Sequence, residues 1–218
     1  MAGDSTMADK PLDLPERGWG MALPEFFRDP AMVKNHAMNG RSTKSFITEG
    51  RWQKITDELR PGDWVIIQFG HNDEKQDKPA VYAEAATDYR ENLRRFVRET
   101  RAKPANPVLA TPVARRKFSA DGKLMDTPGA YPEAVRAVAK EEGVPLLELE
   151  RATSRLLAEL GDARSKDLFM WIAPGKYPKL PEGKQDDTHF VEEGARRVAA
   201  IATDQMRKQK LGLVEWLN

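Results

Sequence analysis

The sequence predicts an α/β protein with a parallel sheet, because short apolar segments alternate with longer amphipathic ones. The clearest strand pattern is "GDWVIIQFG" at 62–70, a nearly continuous apolar run bounded by glycines. "NPVLATPVA" at 106–114 and "GVPLLELE" at 143–150 have the same character, and "VKNHAM" at 33–38 is a weaker version. Such runs are typical of strands that are buried on both faces of a sheet.

Amphipathic helical patterns separate these strands. From Tyr82 to Val97, apolar residues recur at intervals of three and four, while charged residues occupy the other face. Similar patterns predict helices near 46–59, 131–142, 151–161 and 191–208. This alternation predicts βα units. The irregular stretch at 173–187, "APGKYPKLPEGKQDD", is a long loop of the kind that is usually functional or disordered.

Length and composition restrict the class of protein. The 218 residues are expected to form one domain over 1–218, with 40% hydrophobic residues to fill a core. Thirty-five basic and 34 acidic residues give a net charge of +1, which argues against a nucleic-acid partner. Cysteine is absent, so disulfides, thiolate metal ligands and a cysteine nucleophile are excluded.

The sequence also argues against a membrane partner, since no apolar run approaches the roughly 18 residues that span a bilayer. The compartment stays open. A secreted or periplasmic protein is expected if a signal peptide precedes Met1, and a cytoplasmic one otherwise.

Two polar motifs near strand patterns contain candidate catalytic residues, because ligands bind at the carboxyl ends of parallel strands. "MAGDST" at 1–6 contains Ser5, a nucleophile if a base takes its proton, or alternatively a helix N-cap. "FGHND" at 69–73 contains Asn72, whose amide could donate to an oxyanion, although Asn-Asp also suits a simple turn. His71 and His36 are interpreted as structural hydrogen-bonding residues.

Two further motifs complete the set. "MNGRSTKSF" at 38–46 contains Gly40, which could present its backbone N–H to a ligand or be an ordinary turn glycine. In "DDTHF" at 186–190, Asp186 stands three residues before His189 on the same predicted loop. The carboxylate could orient the imidazole so that Nε2 is free to deprotonate a serine. A second interpretation, compatible with the first, is that Asp187 or Thr188 caps the helix that begins near Val191.

The order of these blocks resembles the SGNH (GDSL-type) hydrolases. The segments "GDSTMADK", "NGRSTKSF", "PGDWVIIQFGHNDEK", "TPVARRKF", "SKDLFM" and "DDTHFVEEGA" are similar to the rhamnogalacturonan acetylesterases within that superfamily. The resemblance implies a three-layer α/β/α, flavodoxin-like fold. It also implies that Ser5 is the nucleophile, His189 the general base and Asp186 the orienting carboxylate. The backbone N–H groups of Ser5 and Gly40 and the side chain of Asn72 would form the oxyanion hole.

The function implied by this resemblance is removal of acetyl groups from an acetylated acidic polysaccharide, rhamnogalacturonan, by a serine esterase without cofactor or metal. Xylan or another acetylated glycan is an alternative substrate. A relative that binds carbohydrate without catalysis is a second alternative. A nucleotide-binding flavodoxin-like module is disfavoured, because no glycine-rich phosphate loop follows any strand pattern.

Charged and aromatic residues near the predicted site suit an anionic sugar chain. Arg41, Lys44 and Lys75 lie beside the catalytic blocks and could bind carboxylates. Trp171 and Tyr177 flank a segment rich in lysine and proline and could stack on sugars. The alternative for the lysines is an ordinary solvated surface.

The first strand is expected to be missing. The family places an apolar strand directly before Gly-Asp-Ser, whereas only Met-Ala precedes Gly3 here. The segments at 33–38 and 63–69 are then expected to flank a gap of about two strand spacings, roughly 9.5 Å, unless they pair directly.

Overall fold

The computed structural model describes residues 1–127 and 129–218 and contains two β-sheets. The strands are β1 (Ala2–Gly3), β2 (Glu16–Arg17), β3 (Trp64–Gln68), β4 (Asn106–Ala110), β5 (Leu146–Leu147), β6 (Phe169–Ile172) and β7 (Lys184–Val191). Four of them form a parallel sheet in the order β1-β3-β4-β5. The other three form an antiparallel sheet in the order β2-β7-β6. The predicted α/β fold with a parallel sheet is confirmed.

Helices lie between the strands and after the last one. They are α1 (Trp19–Ala22), α2 (Thr43–Thr48), α3 (Arg51–Glu58), α4 (Asp88–Arg101), α5 (Tyr131–Glu142), α6 (Leu149–Ser165) and α7 (Glu192–Lys208), with 3-10 helices at Leu23–Phe26, Pro30–Met32, Lys166–Leu168 and Gly212–Trp216. The helix predicted at 46–59 is divided in two, because Gly50 has a φ of +70° and begins a new helix. α6 is interrupted in the same way at Gly161, whose φ is +70°.

Each face of the parallel sheet carries its own hydrophobic core. Ile66 and Val108 pack on one face with residues of α1, α6 and α7. Val65, Ile67 and Leu109 pack on the other face with α3, α4 and α5. Neighbouring strand residues therefore point to opposite layers, as the pleat requires. Because both faces of the sheet are covered by helices, most strand residues are apolar and the strands are nearly continuous apolar runs. The two helical layers and the sheet between them form the three-layer arrangement.

The antiparallel sheet corrects the prediction for the segment before the C-terminal helix. The irregular stretch expected at 173–187 and the loop expected around Asp186 and His189 are partly replaced by β7, which pairs with β6 and β2. β7 has the sequence "KQDDTHFV" and is mostly half-buried. Its polar residues give no apolar alternation, so a hydrophobic pattern does not reveal the strand.

The segment at 33–38 also departs from its prediction, because it is not a regular strand. It nevertheless lies beside β1. The backbone N–H groups of His36 and Met38 donate to the carbonyl oxygens of Met1 and Gly3, both at 3.0 Å. This segment therefore occupies the sheet position that was predicted for a second strand.

The expected gap is partly filled, which corrects the prediction of a missing first strand. β1 pairs with β3 through Ala2 opposite Ile67 and Gly3 opposite Gln68, at the carboxyl end of β3. Towards the amino end of β3 lies a cavity of about 520 Å³. Its lining includes Met1, Leu23, Val33, Leu59, Trp64 and Val65.

A helix that crosses a bilayer must be long and apolar. Within residues 1–127 and 129–218, no helix combines the length and the apolar character needed to cross a membrane.

Candidate active site

Ser5 lies in a tight turn directly after β1. The backbone N–H of Met7 donates to the carbonyl oxygen of Asp4 at 3.2 Å, so the chain reverses around the serine. Gly3 is required just before this turn, because a Cβ there would lie 2.8 Å from the carbonyl oxygen of Gln68. The turn therefore holds Ser5 at the carboxyl end of the sheet. No long helix begins at Ser5, so it is not a helix N-cap.

His189 and Asp186 form a hydrogen-bonded line with Ser5. The Oγ of Ser5 lies 2.8 Å from the Nε2 of His189. On the other side of the ring, the Nδ1 of His189 lies 2.8 Å from the Oδ2 of Asp186. When Nδ1 carries the hydrogen and donates it to the carboxylate, Nε2 presents its lone pair to the serine hydroxyl. This is the arrangement by which serine hydrolases activate a hydroxyl.

The Asp186 carboxylate is held as an anion by four donors. Its Oδ1 accepts the backbone N–H groups of Thr188 at 2.8 Å and His189 at 3.0 Å. Its Oδ2 lies 3.2 Å from the Nζ of Lys184 in addition to the imidazole. Burial alone would raise the pKa of Asp186, but the hydrogen bond and charge of His189 and the two backbone N–H groups hold it well below its ordinary value.

The strand that carries His189 is anchored by an arginine from the segment after β4. Arg116 is almost fully buried and forms ion pairs with Asp162 and with Asp187, the latter at 2.7 Å. Asp187 also accepts the indole N–H of Trp171 at 2.8 Å. These contacts use the Asp187 carboxylate, and α7 begins without a side-chain cap, so the capping alternative for Asp187 and Thr188 is wrong.

Two hydrogen bonds hold the segments that carry Gly40 and Asn72 near the Ser5 turn. The backbone N–H of Met38 donates to Gly3, as described above, and the Nδ2 of Asn72 donates to the carbonyl oxygen of Arg41 at 3.0 Å. Gly40 has a φ of +75°, the left-handed region that favours glycine. Within the described residues, no protein group accepts a hydrogen bond from the backbone N–H of Ser5 or Gly40.

A second aspartate–histidine pair lies buried behind the serine. The Nδ1 of His71 is 3.2 Å from the Oδ2 of Asp4, and its Nε2 is 2.9 Å from the carbonyl oxygen of Val113. Burial would raise the pKa of Asp4, but the adjacent His71 and hydrogen bonds from Thr6 hold it below its ordinary value. This geometry agrees with the structural role that the sequence suggested for His71.

The three cations proposed to bind substrate already have intramolecular contacts. The Nε of Arg41 pairs with Glu49 at 3.0 Å, and the Nζ of Lys44 donates to the carbonyl oxygen of Pro79 at 2.7 Å. The Nζ of Lys75 donates to the Oδ1 of Asn72 at 2.6 Å.

The two aromatic candidates lie together. Trp171 and Tyr177 both line a cavity of about 310 Å³. The indole of Trp171 already has Lys166 Nζ at 4.2 Å and Arg116 Cζ at 4.7 Å from its centroid.

Two residues of the site have no counterpart among the sequence predictions. Arg116 orients β7 through Asp187, and Lys184 contacts Asp186 directly. Lys184 stands two residues before Asp186, the spacing that places two side chains on one face of a strand. This spacing predicts the contact of Lys184 with Asp186 only when 184–191 is known to be a strand.

A protein metal site needs several ligand side chains that converge on one point. In the part of the chain that the structure describes, no group of three or more His, Cys, Asp or Glu residues is arranged to hold a metal ion.

The fold and the site together define a class: a three-layer α/β protein with a serine–histidine–aspartate line at the carboxyl edge of its parallel sheet. Comparison with known proteins places the chain within that class. It belongs to the GDSL-like lipase/acylhydrolase family, whose model matches residues 1–197.

Curated relatives match the whole chain. It is 39% identical over 218 residues to rhamnogalacturonan acetylesterase RhgT of Bacillus subtilis, covering 100% of this chain and 92% of that protein. It is 35% identical over 215 residues to the probable rhamnogalacturonan acetylesterase YesY of the same organism, covering 99% and 94%.

Solved structures share the fold. Protein YxiM of Bacillus subtilis superposes with a TM-score of 0.81 at 26% identity, covering 96% of this chain and 56% of that one. Axe2, an acetylxylan esterase from Geobacillus stearothermophilus, superposes with a TM-score of 0.63 at 17% identity, covering 94% and 91%. At that identity, Axe2 shows the common fold alone.

Proposed function

We propose that this protein is a serine carbohydrate esterase that removes acetyl groups from acetylated rhamnogalacturonan. The observation that supports the chemistry best is the line from Ser5 Oγ through His189 to Asp186, with both contacts at 2.8 Å. Family membership supports ester hydrolysis. The two rhamnogalacturonan acetylesterase relatives, which match along nearly their full lengths, support the substrate.

Acylation would begin with attack of the Ser5 hydroxyl on the acetyl carbonyl carbon. His189 takes the hydroxyl proton at Nε2, and the imidazolium that forms is stabilised by Asp186, which stays ionised. The carbonyl oxygen becomes an oxyanion. It would be bound by the backbone N–H groups of Ser5 and Gly40 and by the Nδ2 of Asn72. The sugar oxygen then leaves with the proton from His189.

Deacylation would repeat these steps with water. His189 takes a proton from a water molecule that attacks the acetyl carbonyl, and the same donors bind the second oxyanion. Collapse of this intermediate releases acetate and returns the proton to Ser5. Every proton transfer uses His189, so none of these steps requires a metal or an organic cofactor.

The acidic sugars of the substrate would be met by basic residues around the site. Arg41, Lys44 and Lys75 are half-buried cations on segments next to Gly40 and Asn72. Their present hydrogen bonds leave part of each charged group uncommitted, because a guanidinium has five N–H donors and an ammonium has three. Trp171 and Tyr177 remain proposed sugar contacts through the cavity that both line.

The test is acetate release from acetylated rhamnogalacturonan, with acetylated xylan and a neutral aryl acetate as parallel substrates. The wild type should release acetate from rhamnogalacturonan at least about tenfold faster than from xylan, which requires a difference of about 1.4 kcal/mol. Ser5→Ala and His189→Ala should each lose the activity while their circular dichroism stays that of the wild type.

The other outcomes separate the alternatives. Preference for xylan would keep the esterase and change its substrate. Binding of rhamnogalacturonan without acetate release from any substrate would mean a carbohydrate-binding protein. If Ser5→Ala kept most of the activity, the proposed nucleophile would be wrong.

A further inference from the structure

The side chain of Lys75 contacts Asn72, one of the proposed oxyanion donors. Its Nζ donates to the Oδ1 of Asn72 at 2.6 Å. The turn after β3 creates this contact, because the backbone N–H of Lys75 donates to the carbonyl oxygen of Asn72 at 3.2 Å. The lysine stem is thereby folded back over the residue three places earlier.

These contacts determine which way the Asn72 amide points. An ammonium can only donate, so the atom beside Lys75 must be the amide oxygen. A backbone carbonyl can only accept, so the atom 3.0 Å from the Arg41 oxygen must be the amide nitrogen. Both neighbours require the same orientation, although the oxygen and nitrogen of an amide are otherwise hard to distinguish. One N–H of Asn72 is used by the carbonyl oxygen of Arg41, and no other group of residues 1–127 and 129–218 accepts from this amide, so the second N–H is left for a ligand.

The charge of Lys75 also affects the strength of that second N–H. A cation on the amide oxygen withdraws electron density from the amide nitrogen, so hydrogen bonds polarise one another along the chain of contacts. Asn72 is almost fully buried and Lys75 is half-buried, so water screens this contact less than it would at an exposed site. Burial first, and the neighbouring cations Lys78 and Arg115 next, lower the pKa of Lys75.

We propose that Lys75 is a positioning residue that fixes and polarises the Asn72 amide, so that its free N–H points at the oxyanion of the proposed esterase reaction. This inference rests on the proposed function and adds to it. Lys75 acts through Asn72 and need not touch the substrate, which distinguishes this role from direct binding of a sugar carboxylate.

The experiment measures kcat and KM on a neutral aryl acetate, which has no carboxylate for a lysine to bind. Lys75→Met keeps the stem and removes the donor, and we expect kcat to fall about 10- to 100-fold with little change in KM. Lys75→Arg, which keeps charge and donors, should recover most of the activity. Lys78→Met is the matched control, since Lys78 is an exposed cation of the same segment, and it should behave as the wild type.

A double-mutant cycle gives the readout that a merely structural lysine would not change. Asn72→Ala alone should lower kcat by about 10²–10³. In that background, Lys75→Met should cause no further loss, because the amide on which it acts is gone.

Two results would overturn the proposal: an equal loss from Lys75→Met with and without Asn72, or an unchanged kcat in the single variant. A wild type that does not hydrolyse the aryl acetate would instead overturn the proposed function itself. Thermal unfolding of each variant shows whether a loss of kcat comes from misfolding. If Lys75→Met is misfolded, Lys75→Gln takes its place as the variant without the charge. Lys75→Arg remains the variant that keeps the charge, and the same loss and recovery of kcat are expected.

Discussion

The molecule contains two aspartate–histidine pairs, and they differ in what faces the far side of the imidazole. In the pair of Asp186 and His189, Nε2 faces the hydroxyl of Ser5 at 2.8 Å, and the ring is one-quarter exposed. In the pair of Asp4 and His71, Nε2 faces a backbone carbonyl at 2.9 Å, and the ring is 3% exposed.

This difference separates the proposed catalytic pair from the pair to which we assign a structural role. A hydroxyl can give up a proton, so the first ring can accept it and later return it. A carbonyl can only accept, so the Nε2 of His71 must carry a hydrogen and has no lone pair for a substrate. The carboxylate of Asp4 faces Nδ1, so both nitrogens of His71 are engaged inside the protein. The neighbour of the ring, more than the Asp–His pairing, decides the role.

The largest expected effect is on the proposed catalytic pair, Asp186 and His189. Asp186→Asn keeps the shape of the side chain but can stabilise the wrong tautomer of His189, so kcat should fall by about 10⁴. The free energy of unfolding should fall by about 1–2 kcal/mol, because the amide keeps the two backbone N–H bonds but loses the charge that pairs with His189 and Lys184. Steady-state kinetics and denaturant unfolding measure both quantities. An active Asp186→Asn variant would break the distinction between the two pairs.

A smaller effect, on stability, is expected from the buried pair. Asp4→Asn removes a buried carboxylate that contacts His71 and accepts from Thr6, and breaking a buried pair by removing one partner costs about 3–5 kcal/mol. Urea unfolding should show this loss, with Asp186→Asn as the matched control. If Asp4→Asn were as stable as the wild type, the buried pair would not be structural.

The smallest expected effect concerns Asp73, which lies near the buried pair. Burial, together with the negative charge of Asp4, raises the pKa of Asp73 to about 7, against hydrogen bonds from Thr43. Between its ordinary value and about 7, the folded protein holds a proton that the unfolded chain has released. Stability should therefore fall as pH rises through this window and level off above it.

The loss between about pH 5 and about pH 8 should be on the order of 3 kcal/mol. Asp73→Asn cannot ionise and should flatten this dependence, which unfolding at several pH values will measure. A wild-type curve that rises over the same range would mean that Asp73 is ionised in the folded protein.

The sequence predicts the parallel part of the fold well, because strands buried on both faces leave a local signal. β3 and β4 begin within two residues of their apolar patterns, and α5 coincides with its own. The antiparallel strand β7 leaves no such signal, since its polar side chains are held by tertiary contacts such as Arg116 with Asp187. β1 is too short to show periodicity, and only its pairing with β3 reveals it.

The site divides in the same way. Ser5, Asp186 and His189 can be proposed from motifs, because their chemistry requires particular residue types at particular places. The contacts of Lys75 with Asn72 and of Lys184 with Asp186 depend on how a turn and a strand fold, which residue type alone does not reveal. Sequence patterns therefore indicate the proposed reacting groups, and the structure adds the side chains that contact them.

The central claim is that His189 activates Ser5 as a nucleophile, and covalent labelling tests it most directly. An aryl dialkyl phosphate should react with the wild type: the Ser5 oxygen bonds to phosphorus, the aryloxide leaves, and His189 takes the proton. Mass spectrometry of the digested protein should then place one dialkyl phosphoryl group on Ser5, with labelling absent in Ser5→Ala and far slower in His189→Ala. Labelling of a different residue, or equal labelling of the wild type and Ser5→Ala, would contradict the account.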